Sequence, residues 1–177
     1  MQALAKQGPA PAGERRDVSH IILATGDLAP DRDTYDDSYV ETRDVLRQAD
    51  LVFGQLETSF AASGTRLPQA RHAVLAQPDG AAALGRAGFN VISMAGNHCM
   101  DWGREAFFET RRNLEDAGIR VVGAGRDIAE ARKPVVTTLG DGTRVAFLAY
   151  SSILPHSYWA DERRPGCAPM RAHTVYE

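Results

Sequence analysis

The chain has 177 residues, 44% of them hydrophobic and 24% charged, and its net charge is −3. That is enough apolar material for one globular domain with a sizeable core. The mildly acidic balance, with no concentrated basic face, argues against nucleic acid as a partner. No stretch approaches the ~20 apolar residues of a membrane span, and two cysteines, Cys99 and Cys167, do not make a disulfide framework. Nothing in their surroundings says whether they pair; Cys99 reads as a small buried residue rather than a nucleophile.

Residues 1–18 carry Lys6, Arg15 and Arg16 among Pro and Ala, with no apolar stretch of the kind a secretory signal needs. They read as a disordered leader, which makes the cytoplasm the expected location, and residues 19–177 read as the domain. Residues 21–24 are a short apolar run, the pattern of a buried parallel strand. It ends in Thr25-Gly26-Asp27, a first carboxylate at a strand terminus, and Asp31 and Asp33 in the acidic loop beyond are within reach of it. Residues 38–50 place Tyr39, Val40, Val45, Leu46 and Ala49 on a helical stripe. Residues 51–53 open a second strand that runs to Glu57, a second carboxylate. Residues 60–73 are polar and punctuated by Gly and Pro, an irregular surface excursion whose Arg66, Arg71 and His72 are able to meet an anion.

Residues 78–87 form an Ala-rich helix closed by Gly88. Residues 89–95 are a third, buried strand. Gly96 ends it and is followed at once by Asn97, His98 and, three residues on, Asp101. Asp101 reads either as part of a polar site or as the N-cap of the next helix, residues 104–117, which turns Phe107, Phe108, Leu114 and Ala117 inward. Residues 119–122 are a fourth strand. Gly123-Ala124-Gly125 after it is a weak phosphate cradle, lacking a third glycine. A helical turn at residues 127–132 and a hairpin of residues 134–138 and 143–150 about Gly140-Asp141-Gly142 complete the regular pattern. Beyond residue 151 the chain reads as loop, with Tyr158 and Trp159 as exposed contact aromatics and His156 and His173 as ordinary loop histidines. Alternation of strands with helices predicts an α/β fold, a mainly parallel sheet flanked by helices.

In such a sheet the strand ends bearing Asp27, Glu57 and Asn97-His98 lie along one edge, where open α/β sheets bind ligands. Two carboxylates, an amide oxygen and an imidazole suit Mn²⁺, Fe²⁺ or Zn²⁺ better than an all-oxygen Mg²⁺ site, and one or two such ions are able to activate water. The same groups allow a metal-free acid–base pair of His98 with a carboxylate, and the simplest alternative is that they only cap strand ends.

At these residues the chain resembles the CapA family, the capsule and poly-γ-glutamate synthesis proteins of the calcineurin-like metallophosphoesterase superfamily. The resemblance rests on Thr25-Gly26-Asp27, on the run from Ala49 through Glu57 to Thr58, on Ala87-Gly88-Phe89-Asn90-Val91-Ile92-Ser93, on Gly96-Asn97-His98-Cys99-Met100-Asp101-Trp102-Gly103, and on Val122-Gly123-Ala124-Gly125 with Ala131-Arg132-Lys133-Pro134. It implies a metallophosphatase-like layered fold, of which this chain carries the N-terminal half. Asp27, Glu57, Asn97 and His98 are the implied metal ligands, and His98 and Asp101 the implied catalytic pair, with Asp101 orienting His98. The family has Asn where this chain has Gln55 and Gly96, and its later His-Trp-Gly and Gly-His-His-Pro stretches are not in these residues. The implied activity is metal-assisted hydrolysis or acid–base chemistry on a γ-glutamyl, peptide or phosphate-bearing substrate, with a second copy or a partner supplying the missing half. The rival expectations are a non-catalytic accessory subunit of a polymer synthase or exporter with a vestigial site, and a metal-free peptide epimerase.

Overall fold

The computed structural model describes residues 19–31, 34–153 and 155–170. The leader, Asp33 and His173 lie outside them. Four parallel strands form the main sheet in the order β1 (Ile22–Leu28), β2 (Leu51–Leu56), β5 (Val91–Ser93) and β6 (Arg120–Val122). The three crossovers carry α1 (Arg43–Leu46), α2 (Asp79–Ala87) and α3 (Gly103–Asp116), the layered α/β arrangement the strand–helix alternation predicts. A parallel pair, β3 (Thr58–Phe60) with β4 (Val74–Ala76), brackets the excursion after β2. The strand β7 (Ala124–Gly125) pairs antiparallel with β10 (Gly166–Cys167), and β8 (Val135–Thr138) with β9 (Arg144–Phe147) makes the expected hairpin.

The core lies between the sheet and α2 and α3. Val52, Leu56, Phe60, Leu84, Phe89, Ile92, Phe107, Leu114 and Ile119 are buried there together. The inward positions of α2 and α3 are those that the 3.6-residue spacing selects, and α2 ends on Gly88 in the left-handed conformation, φ 115°.

Four expectations need correction. The first strand is not buried: it is an edge of the main sheet, alternating exposed and half-buried residues, and Ile22 is 46% exposed. It also runs through Asp27 to Leu28, with its pairing to β2 shifted between Ala24 and Asp27. The helix over residues 38–50 shrinks to the single turn α1 after a 3-10 turn at Asp36–Ser38; Tyr39 and Leu46 pack inward while Val40 and Val45 are exposed. The third strand keeps only Val91–Ser93, because Met94 to Gly96 already turn toward the site. Finally, Tyr158 and Trp159 are not exposed contact aromatics: Tyr158 is fully buried and Trp159 half-buried.

The helix α4 (Ile128–Ala131) starts on Asp127, whose carboxylate accepts the Glu130 N–H at 2.8 Å. Its Glu130 joins α3 through Arg111 (2.8 Å) and also holds Arg126 (2.8 Å). Partial burial pushes the Glu130 carboxyl up, but the Arg126 N–H and the two guanidinium groups outweigh it and bring it down to about 2. Being lowered, it adds stability above the ordinary glutamate value, and that stability is lost as pH falls toward 2. Glu130→Gln is expected to cost about 2 kcal/mol at pH 7 and progressively less below pH ~4 in pH-dependent urea melts; a cost that does not change with pH would contradict this.

Candidate functional site

The site is assembled at the C-terminal edge of the main sheet, where β2 and β5 hand over to loops. Glu57 is the first residue past β2, and its N–H bonds the Leu28 carbonyl at 2.9 Å, so the ends of β1 and β2 are tied side by side. After β5 the chain makes tight turns, with the Asp101 N–H reaching the His98 carbonyl at 3.3 Å. These turns bring the side chains of His98 and Asp101 together: His98 Nδ1 stands 2.6 Å from Asp101 Oδ2. The other Asp101 oxygen, Oδ1, accepts a hydrogen bond from the Tyr158 hydroxyl at 2.7 Å. Asp101 is therefore not the N-cap of α3. Trp102 occupies that position and no side chain caps it.

A carboxylate only accepts hydrogen bonds. Asp101 is 3% exposed, and its two oxygens take one proton each from Tyr158 and from Nδ1 of His98. That assigns the Nδ1 proton and leaves Nε2 to face Glu57, whose Oε2 lies 4.0 Å away. The gap is too wide for a hydrogen bond. Burial of Tyr158, then its bond to Asp101 and the charge there, push its hydroxyl well above the usual range, so it remains a donor.

Glu57 is itself constrained. Gln55 Nε2 donates to its Oε1 at 3.1 Å and to the Leu56 carbonyl at 3.2 Å. A Cβ on Gly96 would lie 2.6 Å from that Gln55 nitrogen and 2.8 Å from Glu57 Oε1. Gln55 and Gly96 thus meet in space: with Gln55 and Glu57 as they stand, a Cβ at 96 would displace the ends of both side chains. Burial raises the Glu57 pKa, and the charges of Asp27 and Asp101 add to this, against the Gln55 hydrogen bond and the His98 charge.

The other expected site residues are looser. Asp27 acts on Glu57 through its charge, but its exposed side chain borders a separate hollow with Asp31 and Tyr39. Asn97 is exposed beside His98 and Asp101 in a cleft of about 580 Å³. That cleft is also lined by Arg71 and His72 from the excursion after β3, and by Ser152, Ile153 and Pro155. His72 has φ 55°, in the left-handed region that disfavours a side chain. Among the described residues, no three His, Cys, Asp or Glu side chains converge closely enough to hold a metal ion by themselves. A larger depression of about 760 Å³ lies elsewhere, between α3, α4 and β8, and its Arg111 and Arg126 are already paired with Glu130.

Tyr158 and Gln55 are the residues of the candidate site that motif spacing does not select. Tyr158 lies 57 positions from Asp101, in a segment with no periodic signal. Gln55 sits two residues before Glu57, inside a strand whose apolar run hides it.

These elements define a layered α/β protein that presents a carboxylate–imidazole pair, oriented from behind by a buried aspartate, at the C-terminal edge of a parallel sheet. The family model described as "Bacterial capsule synthesis protein PGA_cap" matches residues 17–177, and the chain belongs to that family. A Mycobacterium tuberculosis protein named "Probable polyglutamine synthesis accessory protein" is 34% identical over 120 residues, 66% of this chain and 32% of its own length. An uncharacterized Sinorhizobium fredii protein is 32% identical over 166 residues, 85% of this chain and 35% of its own. The PGA biosynthesis protein CapA of Bacillus subtilis is 27% identical over 81 residues, 46% of this chain and 21% of its own. The chain spans about a third of the length of the first two relatives.

Because the raised Glu57 pKa means that the folded protein holds this proton more tightly than the unfolded chain, stability falls as pH rises through and above the ordinary glutamate value of 4.5. Glu57→Gln, which keeps the acceptor for Gln55, is expected to raise the melting temperature at pH 7 in chelator and to flatten its fall above pH ~5. A lower melting temperature for the variant at pH 7 would contradict this reading of Glu57.

Proposed function

We propose that this PGA_cap protein is a metal-assisted hydrolase of the metallophosphoesterase type, acting on a γ-glutamyl, peptide or phosphate-bearing substrate. The observation that carries the reading is the imidazole of His98, held at Nδ1 by Asp101 and turned at Nε2 toward Glu57 across 4.0 Å. Metal-ligating histidines commonly hand their other ring nitrogen to a carboxylate in this way. The donor chemistry fits a borderline cation such as Mn²⁺, Fe²⁺ or Zn²⁺. Glu57 and His98 would hold it, with Asp27 and Asn97 at the margin of the site. When bound, the ion would supply Lewis acidity and a water acidic enough to ionise near neutral pH.

The chain's own residues do the rest. Asp101 fixes the His98 ring, Tyr158 fixes Asp101, and the half-buried, crowded Glu57 carboxylate favours a cation as its neutralising partner over water. Arg71 and His72 line the same cleft as Asn97 and His98 and would meet an anionic carboxylate or phosphate of the substrate. Without a metal, His98 backed by Asp101 is a competent general base for proton abstraction at a peptide α-carbon.

A second reading is favoured by a specific observation. No three of the titratable ligand types converge among the described residues, and a relative is named as a synthesis accessory protein. In that reading the fold binds polymer or a synthase partner, and the site is vestigial.

Metal analysis of the protein loaded with Mn²⁺, Fe²⁺ or Zn²⁺ and freed of excess ion separates the two. The hydrolase reading predicts at least one ion per chain, loss of it in His98→Ala, and 10–100-fold weaker binding in Asp101→Asn. It predicts hydrolysis of a phosphoester or γ-glutamyl test substrate by the loaded protein alone. Wild-type protein that retains no ion yet binds poly-γ-glutamate would favour the accessory role.

A further inference from the structure

Two thiols meet behind the site. Cys99, directly after His98, is buried, and so is Cys167, in β10. Their Sγ atoms are 2.6 Å apart across 68 residues of chain. Cys167 Sγ also contacts the carbonyls of Met94 at 2.8 Å and Gly96 at 3.7 Å, so it lies directly beneath the loop that carries Asn97 and His98.

On its other side Cys167 belongs to the segment that delivers Tyr158. Its backbone pairs with Ala124 in β7 and bridges to Trp159, and its carbonyl accepts the Ala160 N–H at 2.9 Å. The Cys99–Cys167 contact therefore joins the two pieces of chain that the Tyr158–Asp101 hydrogen bond joins a few residues away. One piece has His98 and Asp101; the other has Tyr158.

We propose that Cys99 and Cys167 are a disulfide-forming pair, a covalent modification site that staples β10 to the His98 loop and fixes the Tyr158–Asp101–His98 arrangement. The oxidant is a small-molecule disulfide, RSSR. Both thiols are buried, so the first step needs local opening of the β10 segment; the exposed cysteine then attacks RSSR as its thiolate, forming a mixed disulfide and releasing the first RSH. The second cysteine then attacks the protein-side sulfur of that mixed disulfide, forming the Cys99–Cys167 bond and releasing the second RSH. The two cysteine protons leave on the two released thiols, and RSSR is the species reduced. Sulfur–sulfur contact in the folded chain makes the second step intramolecular and favours it over a second adduct. The staple does not depend on whether the site holds a metal.

The test uses the full chain, reduced, freed of reductant and then incubated with oxidised glutathione. Intact mass under denaturing, non-reducing conditions, the number of alkylatable thiols in denaturant and the melting temperature are read together. The proposal predicts a mass lower by two hydrogens, no alkylatable thiol and no adduct. It also predicts a melting temperature roughly 5–15 °C above that of the reduced protein, which returns to the reduced value with a thiol reductant. Cys99→Ser and Cys167→Ser should each lose the mass change and the gain. Two thiols that remain alkylatable, separate glutathione adducts, or a cross-link that lowers the melting temperature would overturn it. Each of those is read on the wild-type chain, so the decision does not rest on whether either serine variant folds.

Discussion

Everything at the sheet edge depends on where one buried carboxylate finds its partners. Asp101 is sealed from water, and an unpaired charge there would be far too costly to keep. It is satisfied by two protons from opposite directions, the Tyr158 hydroxyl and the His98 ring. The first of these binds the segment between β9 and β10 to the core. The second sets the orientation of the His98 imidazole beside Glu57. A single polar requirement thus couples the packing of the last described segment to the chemistry of the loop after β5.

Glu57 is held in place by complementary means. The parallel register of β1 with β2 puts it beside Leu28, Gln55 fixes one oxygen, and the bare backbone of Gly96 lets the His98 loop close over it. The outcome is a crowded acidic centre, with Asp27 and Asp101 both raising the proton affinity of Glu57. An ionised Glu57 there works against stability, whereas the Glu130 ion pairs tie α4 to α3. Such local cost is common where function requires charges to be held together.

The sequence made the skeleton legible where one physical signal acted alone. The helices α2 and α3 follow the 3.6-residue stripe, the β8–β9 hairpin follows its Gly-Asp-Gly turn, and the apolar runs mark all four strands of the main sheet. Legibility failed where exposure depends on neighbours. Ile22 and Ala24 read as core, but β1 is an edge strand. Val40 and Val45 lie on a helical stripe, but only one turn of α-helix forms there. In the site, His98 with Asp101 was visible because three residues of chain separate them. Tyr158 was not, because its partner is 57 positions away and a tyrosine in an aperiodic stretch looks the same whether exposed or buried. The placement of Asp27 toward a neighbouring hollow is likewise a matter of strand pairing, which the irregular register between Ala24 and Asp27 decides.

The chain belongs to the PGA_cap family and folds as a layered α/β protein, and the chemistry open to its site turns on the state of the His98 ring. ¹⁵N NMR of the histidine side chains in the metal-free protein near neutral pH tests it most directly. In the neutral ring the His98 proton is expected on Nδ1, with Nε2 showing the shift of a bare nitrogen and moving on addition of Zn²⁺. A neutral His98 ring protonated on Nε2, or one that exchanges freely between the two neutral forms, would mean that Asp101 does not orient the ring and would contradict this reading of the site.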